Sequence, residues 1–248
     1  MKSLLILGVL MSALVQAQTD FEKKVPVQAG QPLHMVFEHP ELIRIQTWES
    51  DHILVKGSVS INKGESDEAF QLKVDKSGNA LTITSYLEDE ENIPRRIVIR
   101  QDDTDYYFPT SDRNDPEVRK FLDTHDGKYT YMTTGIIKEI RLDIFVPVNT
   151  TTLIEAKFGM VEVKDFKAPL IVNSKFGGVD ASLATSRVGH LKASTRFGEI
   201  LSNLDITFDT NKQEDTHDHW TIITATAGHG PDYEFESKFG KVYLRKAE

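Results

Sequence analysis

Alternating hydrophobic and polar residues dominate the chain between residues 21 and 87. Short segments rich in β-branched side chains repeat with a period of two, which is typical of strands with one buried face. They predict strands at 33–37, 42–45, 53–56, 70–74 and 81–84. Turn residues stand between these segments, at Gly30, 39–40, 62–64 and 77–79. The pattern therefore predicts a strand-rich N-terminal region.

The alternation weakens between residues 88 and 135. This stretch carries two acidic runs and one segment with helix signals, in which Asp115 is the N-cap, Pro116 the first helical residue and 117–122 the body. We predict that 88–135 is an irregular insertion that projects from a β framework. Residues 136–146 then resume as a strand.

A short phrase returns four times in the last third of the chain: a small residue, a basic residue, Phe, Gly, any residue, then Val or Ile. Its invariant pairs are Phe158 and Gly159, Phe176 and Gly177, Phe197 and Gly198, and Phe239 and Gly240. The steps are 18 residues from 158 to 176, 21 from 176 to 197, and 42 from 197 to 239, the last being two steps of 21. Such spacing is typical of the stacked coils of a β-solenoid.

Alternation through the phrase assigns its faces. If Phe158 points inward, Ala156 and Val161 do so too, and Lys157 points outward. The same assignment in the other three phrases predicts an internal ladder of phenylalanine rings, with the glycines at corners that need positive φ or close approach. The basic residues then form an outward column of Lys157, Lys175, Arg196 and Lys238.

These patterns predict an all-β fold with three parts. The architecture is that of a β-solenoid or β-helix-like stack of coils, with a strand-rich N-terminal region and one short helical insertion. Its boundaries are 18–146 for the N-terminal region, including the insertion at 88–135, and 147–248 for the repeats. Residues 1–17 precede this framework.

Residues 1–17 have the features of a cleaved secretory leader. Lys2 supplies a positive start, 4–15 an apolar run too short to span a bilayer, and Val15-Gln16-Ala17 a cleavage site. The chain has no cysteine, which excludes disulfides, thiolate metal sites and lipid anchoring through Cys. Its net charge of −9 disfavours nucleic acid and anionic lipid as partners. We expect an exported protein, periplasmic, extracellular or at the cell surface, without a membrane span after cleavage.

The leader, the strand sequence Ile43-Arg44-Ile45-Gln46-Thr47-Trp48 and the Lys-Phe-Gly phrases together resemble the bacterial putative-adhesin family of unknown function. The similarity runs from about Phe21 to the C-terminus, is clearest after residue 153, and departs from the family's pattern at 102–127. The resemblance implies solenoid-like β-sheets and a place in the cell envelope. It brings no catalytic residues with it.

Two groups of residues are candidate binding sites. Tyr106, Tyr107 and Phe108, beside Asp103 and Asp105, offer an aromatic platform and acceptors for a sugar ring; the alternative is that the rings pack back onto the scaffold.

His217 and His219 point the same way in an extended segment, so with His229 and a carboxylate they offer a zinc-like site. The alternative is a solvated acidic loop, and we place 209–219 in a loop.

Three functions remain open on these grounds. The first is a non-catalytic adhesin-like or envelope scaffold protein, with no cofactor and no catalytic residues, that contacts an envelope protein or glycan through the ladder face or the insertion. The second is a polysaccharide-active enzyme on a β-helix scaffold, which needs two or three convergent carboxylates or a carboxylate–Arg set. The third is a metal-responsive envelope protein. The nucleophile elbow, the P-loop and the full dinucleotide fingerprint are missing from the sequence.

Overall fold

The computed structural model describes residues 18–212 and 219–247, and it confirms an all-β protein. The predicted leader, residues 1–17, lies outside the described residues. The strands within the described ranges are β1 (Thr19–Pro26), β2 (Leu33–Phe37), β3 (Leu42–Trp48), β4 (His52–Ile61), β5 (Phe70–Asp75), β6 (Leu81–Leu87), β7 (Arg96–Gln101), β8 (Thr104–Phe108), β9 (Tyr131–Gly135), β10 (Lys138–Pro147), β11 (Thr152–Ala156), β12 (Met160–Lys164), β13 (Leu170–Ser174), β14 (Val179–Leu183), β15 (His190–Thr195), β16 (Ile200–Ser202), β17 (Asp209–Lys212), β18 (Thr221–Thr226), β19 (Tyr233–Ser237) and β20 (Val242–Lys246).

Two large sheets make up the body of the protein. The first has the order β1-β4-β10-β3-β12-β14-β20-β16, and the second β17-β18-β15-β19-β13-β11-β2-β6-β5. Their central strands pair in parallel, whereas the outer pairs β1–β4, β4–β10, β5–β6, β15–β18 and β17–β18 are antiparallel. Both sheets are thus mixed, and neither closes on itself.

Five strand–corner–strand units link the two sheets. Each unit has its first strand in the second sheet and its next strand in the first sheet: β2–β3, β11–β12, β13–β14, β15–β16 and β19–β20. Parallel pairing aligns equivalent inward side chains, so that Met35, Ile154, Val172 and Phe235 lie in one row. Facing them are Ile45, Val163, Ala181 and Leu244. All eight are buried in a single core that joins both predicted regions.

The order of the units in the stack differs from their order in the chain. Strand β19 lies between β13 and β15, and β20 lies between β14 and β16. The last unit of the sequence therefore fills the gap between the two units before it. The step of 42 residues does not place Phe239 beyond Phe197, as equal steps suggested, but between Phe176 and Phe197.

The predicted inward orientation of the phenylalanines is wrong. Phe158, Phe176, Phe197 and Phe239 are 43–54% exposed. Each small residue before them is buried, because it is the last inward side chain of its strand. The basic residue, Phe and Gly then form a bend outside the strand, where the alternation of faces no longer applies. The rings do stack on one another, but on the outside of the protein.

The corner glycines are explained by close approach between units. An added Cβ on Gly177 would overlap the carbonyl oxygen of Gly159, one on Gly240 that of Gly177, and one on Gly198 that of Gly240. Only Gly159 among these four has positive φ, at 76°. The glycines thus form a column of backbone contacts, which we call the glycine column. Glycine is required there mainly because a side chain would not fit, and positive φ is a requirement only at Gly159.

At Ser237, the small residue of the phrase also links two neighbouring corners by hydrogen bonds. The Ser237 hydroxyl donates to the Gly177 carbonyl oxygen at 2.8 Å and accepts from the Gly240 N–H at 2.9 Å. Ser174 occupies the equivalent buried position, but its hydroxyl makes no hydrogen bond with a described residue. The two serines therefore differ in bonding and not in burial.

We expect Ser237→Ala to lower the free energy of unfolding by about 1–2 kcal/mol, because it removes the partner of a half-buried carbonyl and of a half-buried N–H. Ser174→Ala is the matched control and should change that free energy by less than about 0.5 kcal/mol. Urea denaturation of both variants measures the difference. Equal losses for the two serines would contradict the bonding role of Ser237.

The insertion contains the predicted helix and an unpredicted sheet. Helix α1 spans Pro116–Thr124, and the Asp115 carboxylate accepts the Glu117 N–H at 2.8 Å, which confirms the N-cap. The expectation of irregular structure elsewhere is wrong, because β7, β8 and β9 form an antiparallel sheet with a small core of its own against α1. No helix of the described residues is long and apolar enough to cross a membrane.

The stretch 209–219 is only partly as predicted. Asp209–Lys212 forms β17, an edge strand that pairs with β18, so the expectation of a loop is wrong for these four residues. Residues 213–218 lie outside the described residues.

Candidate functional site

Four exposed phenylalanines form a continuous row across the stacked corners. Neighbouring ring centroids lie 5.4 Å apart from Phe158 to Phe176, 5.2 Å from Phe176 to Phe239 and 5.1 Å from Phe239 to Phe197. The ring planes differ by only 13–16°. We call this the ring row. Because each inner ring covers the faces of its neighbours, the exposed parts are mainly ring edges.

A row of basic residues lies directly beside the ring row. Each cation sits over the ring of the phenylalanine that follows it, at 5.0–5.5 Å from the centroid: Lys157, Lys175, Lys238 and Arg196. This cation row confirms the predicted outward column. Lys157 also forms an ion pair with Glu38. No carboxylate of the described residues lies within 4.0 Å of the Lys175 or Lys238 ammonium.

Hydrogen-bond acceptors form a third row, two positions before the cations on the same face of the second sheet. In-register pairing aligns Glu155, Asn173, Glu236 and Ser194. His34 bonds the Glu155 carboxylate at 3.1 Å, and Ser194 lies 3.5 Å from Glu236. A cleft of about 330 Å³ runs between this acceptor row and the cation row. We call the three rows together the stripe.

The stripe repeats its chemistry over the three levels of Glu155, Asn173 and Glu236, whereas Ser194 at the next level is buried. Carboxylates and an amide accept hydrogen bonds, ammonium groups donate them, and ring edges offer apolar contact with partial positive charge. Adjacent levels are one strand spacing apart, about 4.8 Å. Such a surface can hold an extended ligand that carries both donors and acceptors along its length.

Two of the three rows are visible in the repeated phrase. The cations lie outside, as predicted, and the rings lie outside against the prediction. The acceptor row of Glu155, Asn173 and Glu236 was not predicted, although each of these residues stands three positions before a Phe of the repeat. That constant offset from the phenylalanines was the signal for an acceptor row.

The predicted aromatic platform of the insertion is divided between two faces of its sheet. Tyr106 and Phe108 face α1, where both pack on Phe121 at 4.6 and 5.5 Å. Tyr107 faces the other way, donates to the Asn62 carbonyl oxygen at 3.3 Å and lies under the Lys63 ammonium. The three rings therefore do not form one surface, and two of them pack on the scaffold.

The two aspartates of that candidate site, Asp103 and Asp105, lie in different surroundings. Asp105 forms an ion pair with Arg100 at 2.6 Å, and the hydrogen bond from Arg100 lowers the pKa of its carboxyl group. Tyr131 donates to the same carboxylate at 3.4 Å. Asp103 lies in the two-residue turn between β7 and β8, with φ of 60°. Asp105 thus belongs to a local structural cluster on the side of Tyr107.

The histidine group is not assembled by the described residues. His217 lies outside them. His219 precedes β18 and His229 follows it, so a six-residue strand of about 20 Å separates the two. No group of three metal-binding side chains occurs among residues 18–212 and 219–247.

A larger cavity of about 830 Å³ lies at the opposite corner of the units. Among the described residues that line it, Asp165 is the one carboxylate, and it contacts Lys167 at 3.4 Å and Arg187 at 3.5 Å. The described lining therefore offers a carboxylate–Arg contact and not the carboxylate pair that a glycosidase needs. Tyr233 lies at its floor, and burial raises the pKa of this phenol to about 12.

Comparison with known proteins gives one distant structural likeness. No protein-family model and no curated protein matches the chain. A solved structure described as a putative cell adhesion protein from Clostridium sporogenes ATCC 15579 is similar over 92% of this chain and 100% of its own length. Its sequence identity to this chain is 10% and the TM-score is 0.47.

Proposed function

We propose that this protein is an exported, non-catalytic, adhesin-like binding module that holds an extended glycan along the stripe. The stacked units serve as a solenoid-like scaffold, and the stripe is the contact surface. The leader predicted from residues 1–17 supports export to the periplasm or the cell surface, where a protein without cysteine is not anchored through a lipidated Cys.

The solenoid-like interpretation is supported by the pairing of the units. Five units place their first strands side by side in parallel and their second strands side by side in parallel. In the described structure, antiparallel pairs lie beyond the units at three of the four sheet ends, and β16 ends the first sheet at the fourth. Such a scaffold repeats any outward side chain at a constant interval.

The observation that carries the proposal is the exposure of the ring row. Ring-on-ring contact explains how the phenylalanines stabilise the corners, and together with the other contacts of these residues it covers about half of their surface. The other half remains in water, four rings long, beside cations and acceptors. Contiguous exposed apolar surface rimmed by polar groups is typical of an interaction site.

The balance of charge across the stripe favours a hydroxyl-rich ligand. Glu155 and Glu236 would repel a polyanion, and Lys175 and Lys238 would repel a polycation. Sugar hydroxyl groups, which donate and accept, satisfy both rows at once. A chain of sugars lying along the stack meets an acceptor, a cation and a ring edge at successive levels.

Affinity gel electrophoresis with soluble polysaccharides tests this function. The mature chain 18–248 would be run through gels that contain hydroxyethyl cellulose, xylan, galactomannan or polygalacturonate. We expect retardation by at least one neutral polymer. The double variant Lys175→Gln/Lys238→Gln should weaken that binding at least about tenfold, since each lysine supplies a charged hydrogen-bond donor.

The matched control is Lys73→Gln/Lys128→Gln, which removes the same charge from exposed positions away from the stripe. It should leave the retardation unchanged. The glycan proposal would be refuted by migration unaffected in all four gels. Retardation by polygalacturonate alone, or an equal loss in the control variant, would instead indicate charge attraction without a built surface.

A further inference from the structure

A second cavity lies at the ends of the strands opposite to the corners that carry the stripe. Three connections converge there: 165–169 between β12 and β13, 184–189 between β14 and β15, and 227–232 between β18 and β19. The cavity measures about 830 Å³, which lies within the usual range for small-molecule sites. Its corner has no part in the glycan proposal.

The floor of the cavity is apolar. Phe166, Leu183, Val188 and Tyr233 line it, and all four belong to the buried core. The Tyr233 hydroxyl donates to the Phe166 carbonyl oxygen at 2.6 Å, so the polar end of this side chain already has its partner. A ligand that reaches the floor therefore meets hydrocarbon surface and a satisfied phenol.

At the rim, among the described residues that line the cavity, Lys167 and Arg187 are cations, Asp165 is the one carboxylate, and His229 lies at the same lining. Lys167 and Arg187 both contact Asp165, which neutralises one of the two cations. The contact between Arg187 Nη1 and Asp165 measures 3.5 Å and joins two exposed side chains. A guanidinium has five N–H donors, so Arg187 keeps donors for a second planar anion beside this contact.

From the apolar floor and this rim we infer that the cavity is a binding site for a small monocarboxylate with an apolar body. The carboxylate pairs with Arg187 beside Lys167, and the hydrocarbon part lies against Phe166, Leu183 and Val188. A dianion such as a phosphate monoester is disfavoured because Asp165 remains at the same rim. This site is independent of the stripe, so its failure and that of the glycan proposal are distinguishable.

An NMR titration with benzoate tests the inference. Gly228 and Gly230 line the cavity, and their amide signals report its occupation. We expect saturable shifts of these two signals with benzoate and at least about tenfold weaker binding of benzamide, which has the same shape without the charge. Arg187→Gln should weaken benzoate binding by a similar factor.

Arg245→Gln is the matched control. Arg245 is 51% exposed against 60% for Arg187, and it also pairs with one aspartate, Asp180, on the outer face of the first sheet. This variant should bind benzoate as the unmodified protein does. The inference is overturned if benzamide binds equally well, if benzoate binding survives Arg187→Gln, or if the two glycine signals do not move up to the solubility limit.

Discussion

Replacing Gly177 with valine should lower the free energy of unfolding by at least about 3 kcal/mol, the largest effect expected from any corner residue. A Cβ at this position would overlap the carbonyl oxygen of Gly159, which belongs to the backbone of the adjacent unit. Backbone cannot turn aside as a side chain can, so the two units must separate at the corner. For a protein of this size we expect the melting temperature to fall by roughly 6–12 °C.

Gly135→Ala separates this crowding from any general effect of replacing glycine. Gly135 ends β9, its φ is not in the left-handed region, and an added Cβ would have no heavy atom within 4 Å. Its alanine variant should melt within about 2 °C of the unmodified protein. Thermal melts followed by circular dichroism compare the two variants, and a Gly177→Val protein that melts like Gly135→Ala would contradict the glycine column.

The elements that could be predicted from sequence are those fixed by local chemistry. The strands at 33–37 and 81–84 and the Asp115 cap each depend on residues close in the chain. The corner glycines follow from the same logic, because a repeated Gly next to a repeated Phe indicates a position where a side chain is excluded. The outward lysines needed only the alternation of the preceding strand.

The orientation of the rings could not be obtained by the same rule. Alternation holds only while the backbone stays extended, and the strand β11 ends at Ala156, two residues before Phe158. Beyond that point the bend turns two consecutive side chains, Lys157 and Phe158, toward solvent. The hydrophobicity of the rings alone then predicts a buried position. Stacking on neighbouring rings, however, also removes part of the same apolar surface from water.

The order of the stack could not be predicted because the phrases are chemically interchangeable. Ser174, Thr195 and Ser237 all present a small inward residue, and any two of these units can pair in parallel. In the described structure β18 pairs with the outer side of β15, β17 pairs with β18, and β19 then lies in the gap between β15 and β13.

The turn between β7 and β8 has a sequence signal that was interpreted only as part of an acidic run. Asp102 and Asp103 stand between β7 and β8 with φ of 46° and 60°. Two residues with positive φ are what a tight hairpin turn requires, and aspartate tolerates that conformation better than most side chains. An acidic run was thus a turn between two strands and not a break in structure.

The two kinds of phenylalanine in the last unit should respond very differently to removal. Phe235 is fully buried between Val172 and Ala193 of the neighbouring strands, in the middle of the stack. Phe235→Ala should lower the free energy of unfolding by about 3–5 kcal/mol, because a large cavity opens in the core between the two neighbouring units.

Phe239, four residues later, should behave as a surface residue with a binding role. It is 43% exposed and contacts Phe176 and Phe197 on either side. Phe239→Ala should cost only about 1–2 kcal/mol, from partial burial and two ring contacts. It should nevertheless weaken glycan binding in the same gels, since it interrupts the middle of the ring row.

Urea denaturation and affinity electrophoresis of the same two variants distinguish a core from a contact surface. A loss of stability in Phe239→Ala as large as that in Phe235→Ala would mean that the ring row holds the protein together in the manner of a core. Unchanged glycan binding by a stable Phe239→Ala protein would remove the rings from the contact surface and leave it to the cation and acceptor rows. If the ring row is a contact surface, Phe239→Ala should show a small loss of stability together with a clear loss of glycan binding.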